Sequence, residues 1–260
     1  MARMAAGSAG RRKRSTVGER WAYYRDATPL PLYSLIFIFP LVAIYEVGAL
    51  MLRPTAWPER RLVAQGAMQS LFGWIGADAP WLSGAAIILV VTLLCWHVFS
   101  GGSWRVRMWV PAVMIAESIA LSIPLLVIGR IGATMALHQA TSGASFESLR
   151  ADLILSLGAA LYEEFVFRLA VLVIVLSALT HLFRAPRGVA MAAAVAVAAA
   201  IFALCHVRPV GAEAWDGVRM AVRLAAGAYL GVVFLLRGLG VAVGCHAAYD
   251  VIVLVGAARD

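Results

Sequence analysis

The chain has 260 residues, 62% of them hydrophobic and 14% charged, and a formal net charge of +8. So large an apolar share cannot be hidden in one water-soluble core of this length, and the sequence reads as an all-α polytopic membrane protein, a transmembrane helix bundle. Nor does the positive charge point to nucleic acid: the basic residues gather at the ends of apolar segments and in Arg11-Arg12-Lys13-Arg14, as membrane anchors do.

Residues 1–30 are polar and Arg-rich, which predicts a flexible basic head on the cytoplasmic side, followed by a membrane-embedded domain over 31–260. A cleaved signal peptide is not expected, because the apolar stretch behind the basic head is too extended for a short signal core. A spanning helix needs about 20 apolar residues. Segments 32–52, 81–99, 108–131, 153–179, 189–207, 218–236 and 239–257 approach that length. Between the first two, residues 61–75 place Leu62, Met68, Leu71, Phe72 and Ile75 at helical spacing among Gln65, Gln69 and Ser70, the pattern of an interfacial amphipathic helix. Seven spans follow, or eight if that segment crosses. With seven, the head, the Arg105/Arg107 loop, the Arg184/Arg187 loop and the Arg237 turn share one side, which the positive-inside rule makes cytoplasmic. Glu163 and His206 then fall in the outer half of the membrane. The Ala-rich run 190–200 predicts a small-residue face for close helix packing. Cys95, Cys205 and Cys245 lie in apolar stretches and read as small packing residues, not as a disulfide framework.

Within the motif-bearing core, residues 150–257, ionisable groups recur inside apolar segments, where charge is costly and therefore points to function. Glu164 and Arg168 stand four apart with the acid N-terminal, the favourable geometry for an intrahelical ion pair. Glu163 lies about 100° round the same helix and has no such local partner. A carboxylate shielded from water suits a general base, which makes Glu163 the candidate for activating water. Phe202 stands one turn before His206 and can restrict its rotamers. His246 and Asp250 share a helix face, so Asp250 can hold the imidazole and His246 can donate to a developing oxyanion. Glu46, Glu117 and His97 have no companion motif and read as structural contacts. The Cys/His neighbours Cys205–His206 and Cys245–His246 point about 100° apart, against a nucleophile pair.

Two other readings use the same residues. Glu163, His206, His246 and Asp250 are a donor set of the kind that binds catalytic zinc. Alternatively, the buried charges belong to a transporter or scaffold.

The ordered set Glu163-Glu164-x-x-x-Arg168, Phe202-x-x-x-His206 and His246-x-x-x-Asp250 resembles the family of CAAX prenyl endopeptidases and bacteriocin-processing proteins, the Abi or CPBP family of glutamic intramembrane peptidases. The likeness covers roughly residues 153–255; the N-terminal half adds only compatible hydropathy. It implies that Glu163 and His206 bind and activate the attacking water, that His246 and Asp250 stabilise the oxyanion, and that Glu164 and Arg168 support them, with no metal or other cofactor. The implied partners are the lipid bilayer and a membrane-anchored or membrane-proximal protein or peptide, cut in a C-terminal tail, anchor or leader. One departure is chemical. Where the last motif has Asn, an amide can donate to the oxyanion, whereas ionised Asp250 only accepts, which favours an orienting role. Arg-rich, Lys-poor and Ala-rich usage suggests a bacterial protein of the inner membrane.

Overall fold

The computed structural model describes residues 16–52, 84–135, 146–207 and 214–257, all helices and their connections, with no strand among them. In chain order the helices are α1 (Val17–Ala27), α2 (Pro31–Leu52), α3 (Gly84–Phe99), α4 (Trp109–Met135), α5 (Phe146–Glu164), α6 (Arg187–Leu204), α7 (Gly217–Arg237) and α8 (Leu239–Ala257). The axis of α5 continues through a π-helical stretch Phe165–Leu172, a short α-helical piece Val173–Ser177 and a second π-helical turn Ala178–Leu182.

Among the described residues, six helices are long and apolar enough to cross a membrane: Pro31–Leu52, Trp109–Gly132, Leu149–Leu182, Arg187–Leu204, Gly217–Arg237 and Leu239–Gly256. The seventh expected span corresponds to α3, which is apolar but 16 residues long. The interfacial segment expected at 61–75 and the Arg11–Arg14 cluster lie outside the described residues. On α4, Ile115, Ile119, Ile123, Val127 and Ile131 are each more than half exposed, a stripe at every fourth position. A face of that kind suits lipid and is foreign to water. The chain is a multi-pass membrane protein.

At the centre stands α8, whose residues 239–247 are buried on every side. It packs on α2, α4, α5 and α7. Small residues make this possible: a Cβ at Gly240 would meet the Met114 methyl at 2.7 Å and the Ser34 backbone at 3.1 Å, and one at Gly244 would run into Ser118 and, at 2.8 Å, the Phe37 ring. Serines then bond across the close contacts, with the Gly240 amide donating to Ser34 Oγ at 3.2 Å and Ser118 Oγ to the Val241 carbonyl at 3.5 Å. The Ala-rich face behaves as the sequence predicts: Ala199 lies against Gly227 and Val195 against Gly231, setting an antiparallel α6–α7 pair.

Within the segment expected to be a flexible head, the described residues include a helix, Val17–Ala27, docked against one end of the bundle. A capping box starts it, with Glu19 accepting from the Thr16 amide at 2.8 Å and Thr16 Oγ1 accepting from the Glu19 amide at 3.3 Å. Its docking face is aromatic and polar rather than a continuous apolar run. Tyr24 is buried and donates to Glu117 Oε2 at 2.6 Å, and Arg237 grips the same carboxylate at 2.7 and 3.0 Å. Burial, and then the bond to this carboxylate, push the Tyr24 hydroxyl well above the ordinary phenol range. Glu117 is thus an ion-pair partner, Glu46 accepts from the Tyr162 hydroxyl at 2.8 Å, and His97 is buried edge-on to Trp104. The α7–α8 turn closes on the same end. Gly238 has φ of 83°, and a Cβ there would lie 2.6 Å from Pro29 Cα.

Arg107 stacks on Tyr23, so α1, the 100–108 loop and the Arg237 turn share one end of the bundle. The antiparallel α6–α7 register puts the Arg184/Arg187 connection there too. If α8 depends on its glycine face, Gly244→Leu should destabilise the protein by roughly 1–3 kcal/mol through overpacking. Gly256→Leu, at a position with open space round it, should leave the melting temperature in detergent unchanged. Equal melting of the two variants would show that close packing at Gly244 is not what holds α8.

Candidate active site

Three helices and the π-helical stretch bring the three motifs together. Glu163 and Glu164 end the α-helical part of α5, Arg168 sits in the following π-helical turn, Phe202 and His206 come from the end of α6, and His246 and Asp250 from α8. A π-helical turn replaces the i→i+4 bond with i→i+5 and so re-aims the side chains after it. Here it turns Phe165, Phe167, Arg168 and Leu172 inward together.

The deepest part is a charged network. Glu164 and Arg168 are 0% and 1% exposed and approach to 3.2 Å, the ion pair expected from their spacing. The approach is one of charge, since neither Glu164 Oε2 nor Arg168 Nε is aligned as a hydrogen bond. The other Glu164 oxygen faces His246 Nδ1 at 2.9 Å. Spacing along one helix could not reveal this contact, which comes from α8. Arg168 also donates to the Gly227 carbonyl at 3.4 Å and stacks 4.8 Å above the Phe202 ring. Phe202 in turn meets Phe167 edge-on at 5.2 Å and His206 at 4.8 Å.

Phe202 holds His206 by its backbone as well as its ring. His206 Nδ1 lies 2.8 Å from the Phe202 carbonyl, and because a carbonyl only accepts, Nδ1 carries the proton. In the neutral imidazole that leaves Nε2 with a lone pair, and Nε2 faces Glu163 Oε1 at 3.7 Å. Two acceptors at that separation do not bond each other directly but can share a water that donates to both. On the other side, His246 Nε2 stands 3.7 Å from Asp250 Oδ2. That is an electrostatic contact, longer than a hydrogen bond. The imidazole is also held at its other nitrogen by Glu164, at 2.9 Å, a closer contact than the one to Asp250.

Glu163, His206, His246 and Asp250 all face one cavity of about 460 Å³. Leu125, Gly129, Ala159, Val222, Ala226 and Leu230 supply apolar wall. Three further polar residues that the motifs did not reveal also line it: Arg219, Arg223 and Tyr249. Arg219 and Arg223 are four apart on α7, a signal readable in sequence only once that face is known to meet the acids. Glu163 and His246 are each 8% exposed. The cavity lies in the half of the bundle away from α1, where α6 ends and α7 begins. Among the described residues, no three His, Cys, Asp or Glu side chains are grouped as a metal ion would need.

Comparison with known proteins finds the family described as type II CAAX prenyl endopeptidase, Rce1-like, over residues 146–252. No curated protein and no solved structure matches the chain. The matched stretch begins with α5 and ends within α8, so it contains every acid, imidazole and guanidinium of the buried network. Over that stretch, which is less than half of its length, the chain is similar to the CAAX endopeptidase family, and its long apolar helices are those of a multi-pass membrane protein.

Proposed function

We propose that the protein is a glutamic-type intramembrane endopeptidase in which Glu163, partnered by His206, activates a water. The observation that carries this reading is the facing pair Glu163 Oε1 and His206 Nε2, 3.7 Å apart on a cavity, with the imidazole tautomer set by the Phe202 carbonyl. Glu163 accepts a proton from water as the water oxygen bonds to the peptide carbonyl carbon. The same carboxyl then returns the proton to the leaving amine as the C–N bond breaks, so Glu163 ends as the carboxylate it began as. His246 acts on the carbonyl oxygen. In that role it carries both ring protons, Nδ1–H held by Glu164 and Nε2–H available to the oxyanion. Asp250 supports the charge on His246, and Arg168 offsets that on Glu164.

The substrate is a membrane-proximal protein segment without helical hydrogen bonding, such as a C-terminal tail, anchor or leader, because a helical carbonyl is already bonded and shielded. The basic end formed by α1, the Arg107 loop and the Arg237 turn faces the cytoplasm of a bacterial inner membrane, and the cavity faces the outer half. No metal takes part. Elemental analysis of the purified protein and insensitivity to chelators are the expected results; stoichiometric zinc whose removal abolishes cleavage would favour the zinc reading.

Glu163→Gln should abolish cleavage by at least about 10²-fold while the melting temperature stays that of the parent, since the amide cannot take up a proton. The decisive comparison is of membrane and secreted protein termini in cells expressing either form at equal level. Uncleaved tails or leaders confined to the mutant support the peptidase and name its substrate, whereas identical termini transfer the site to a transport or scaffold role.

Arg168→Ala should lower stability by about 3–5 kcal/mol and lose activity with it, because Glu164 is then stranded in low dielectric. Parent-like melting of Arg168→Ala would refute the buried ion pair. Asp250→Asn should keep partial turnover, since the 3.7 Å contact to His246 is replaceable and the amide can itself donate to the oxyanion. Complete inactivity of a folded Asp250→Asn protein would require the carboxylate itself.

A further inference from the structure

We propose that the groove between α1 and the neighbouring ends of α4 and α7 seats one anionic phospholipid, whose phosphodiester lies between Arg25 and Arg237 and whose acyl chains run along α7. The groove is at the opposite end of the bundle from the catalytic cavity, and the proposal does not rest on the peptidase reading.

Helix α1 has two unlike sides. At 100° per residue, Val17, Trp21 and Arg25 follow one line along it and Gly18 and Ala22 lie beside that line, while Glu19 and Asp26 stand about 100° or more from both Trp21 and Arg25. Tyr24 docks the helix on Glu117 of α4, which Arg237 of α7 also holds. An open groove of about 520 Å³ remains there, lined by Gly18, Trp21, Ala22 and Arg25 on one side and by Glu117 and Arg237 on the other. Small residues keep it clear: a Cβ at Gly18 would meet no heavy atom within 4 Å.

The charges in the groove suit an anion. Arg25 and Arg237 stand against the carboxylate of Glu117, whose two oxygens are taken up by Tyr24 and Arg237. Arg237 spends two of its five N–H donors on that carboxylate and stacks on the Tyr24 ring at 5.1 Å, so its planar fork is fixed and still has donors to give. Arg25 is exposed, and its contact with Asp26 is loose, at 3.9 Å. On the other flank of α1, Arg20 lies over Trp109 and Arg107 over Tyr23, which adds positive potential beside the groove. A phosphodiester offers two charged acceptor oxygens to the two forks. A choline or ethanolamine head would add a cation where cations are already in excess, so the anionic lipid is favoured.

Depth identifies the source of the phosphate. Helix α1 packs against the first residue of α4 and the last of α7, two helices long and apolar enough to cross a membrane, which puts the groove at the level of headgroups. Trp21 is exposed there, as interfacial tryptophans are. Leu236, next to Arg237, and Val232, one turn deeper, are also exposed. They continue the groove as an apolar surface for acyl chains, which a soluble phosphate would not use.

The test uses the full-length protein in detergent micelles doped with equal amounts of phosphatidylglycerol and phosphatidylcholine, read by native mass spectrometry. The parent should retain one phosphatidylglycerol about five- to tenfold more often than phosphatidylcholine, the scale of an arginine at an anionic headgroup. Arg25→Gln, which removes charge, and Gly18→Leu, which fills the groove and leaves the charge alone, should each bring the ratio close to one. Arg150→Gln, which removes the same charge from the start of α5, should keep the parent's ratio. If Gly18→Leu melts below the parent, Ala22→Leu carries the steric comparison.

Equal retention of the two lipids by the parent overturns the proposal, as does a preference that survives both Arg25→Gln and the groove-filling variant. An equal loss in Arg150→Gln reduces the effect to net charge and overturns it as well. Displacement of the phosphatidylglycerol by inorganic phosphate would assign the arginines to a free anion and refute the lipid seat. None of these readouts involves peptide cleavage, so the lipid seat and the peptidase reading fail separately.

Discussion

Burying Glu164 and Arg168 together inside the bundle constrains everything round them. The idealised cost of removing two such charges from water exceeds what a pair alone returns, so the surrounding structure must complete their contacts. It does so from three other helices: α8 brings His246 Nδ1 to 2.9 Å, α7 brings the Gly227 carbonyl to 3.4 Å, and α6 lays the Phe202 ring 4.8 Å below the guanidinium. The same contacts fix where α6 ends, and therefore where His206 stands. Gly227 is part of the same constraint, since a side chain there would press on Phe202 at 3.1 Å and on the Ala199 backbone at 3.2 Å. Site and packing are one arrangement, which is why small residues on α6 and α7 and charged residues on α5 belong to a single argument.

Two adjacent acids acquire different chemistry from this network. Glu164 points into it and is occupied on both oxygens by cationic or imidazole neighbours. Glu163, about 100° round the helix, is turned to the cavity and meets the Nε2 edge of His206 at 3.7 Å. Neighbouring positions on one helix are thus divided between holding the site and facing what enters it. The π-helical stretch that begins one residue later, at Phe165, belongs to the same division. It carries Arg168 inward without breaking the helix, so the acid pair and its counter-charge remain on one rigid rod.

The sequence made some of this legible and hid the rest for physical reasons. Hydropathy located the long helices because a bilayer demands about 20 apolar residues in a row. The Glu164–Arg168 pair was readable because its partners share one helix. The His246–Glu164 contact was not, since it joins residues 82 apart and depends on how two helices rotate against each other. Glu117 and Arg237 illustrate the same limit over a separation of 120 residues, and their pairing explains a membrane-embedded acid that no motif accounted for. Helix α1 escaped because its docking face is built from Tyr23, Tyr24 and stacked arginines, which an apolar run does not reveal. The π-helical turns escaped because no Gly or Pro marks them between Phe165 and Leu182.

On the proposed reading, the cavity's composition also bears on how a peptide bond becomes vulnerable there. A transmembrane substrate arrives with its carbonyls bonded along its own helix, and unwinding it in hydrocarbon leaves polar groups with no partners. Acids and imidazoles on the cavity wall, with apolar residues beside them, offer such partners at the depth where the chain must open. The apolar wall accepts side chains but bonds no backbone. Unwinding is then least costly for a chain whose freed amides and carbonyls reach those polar groups as it opens, so the contacts that seat the scissile bond also offset the helical bonds it gives up.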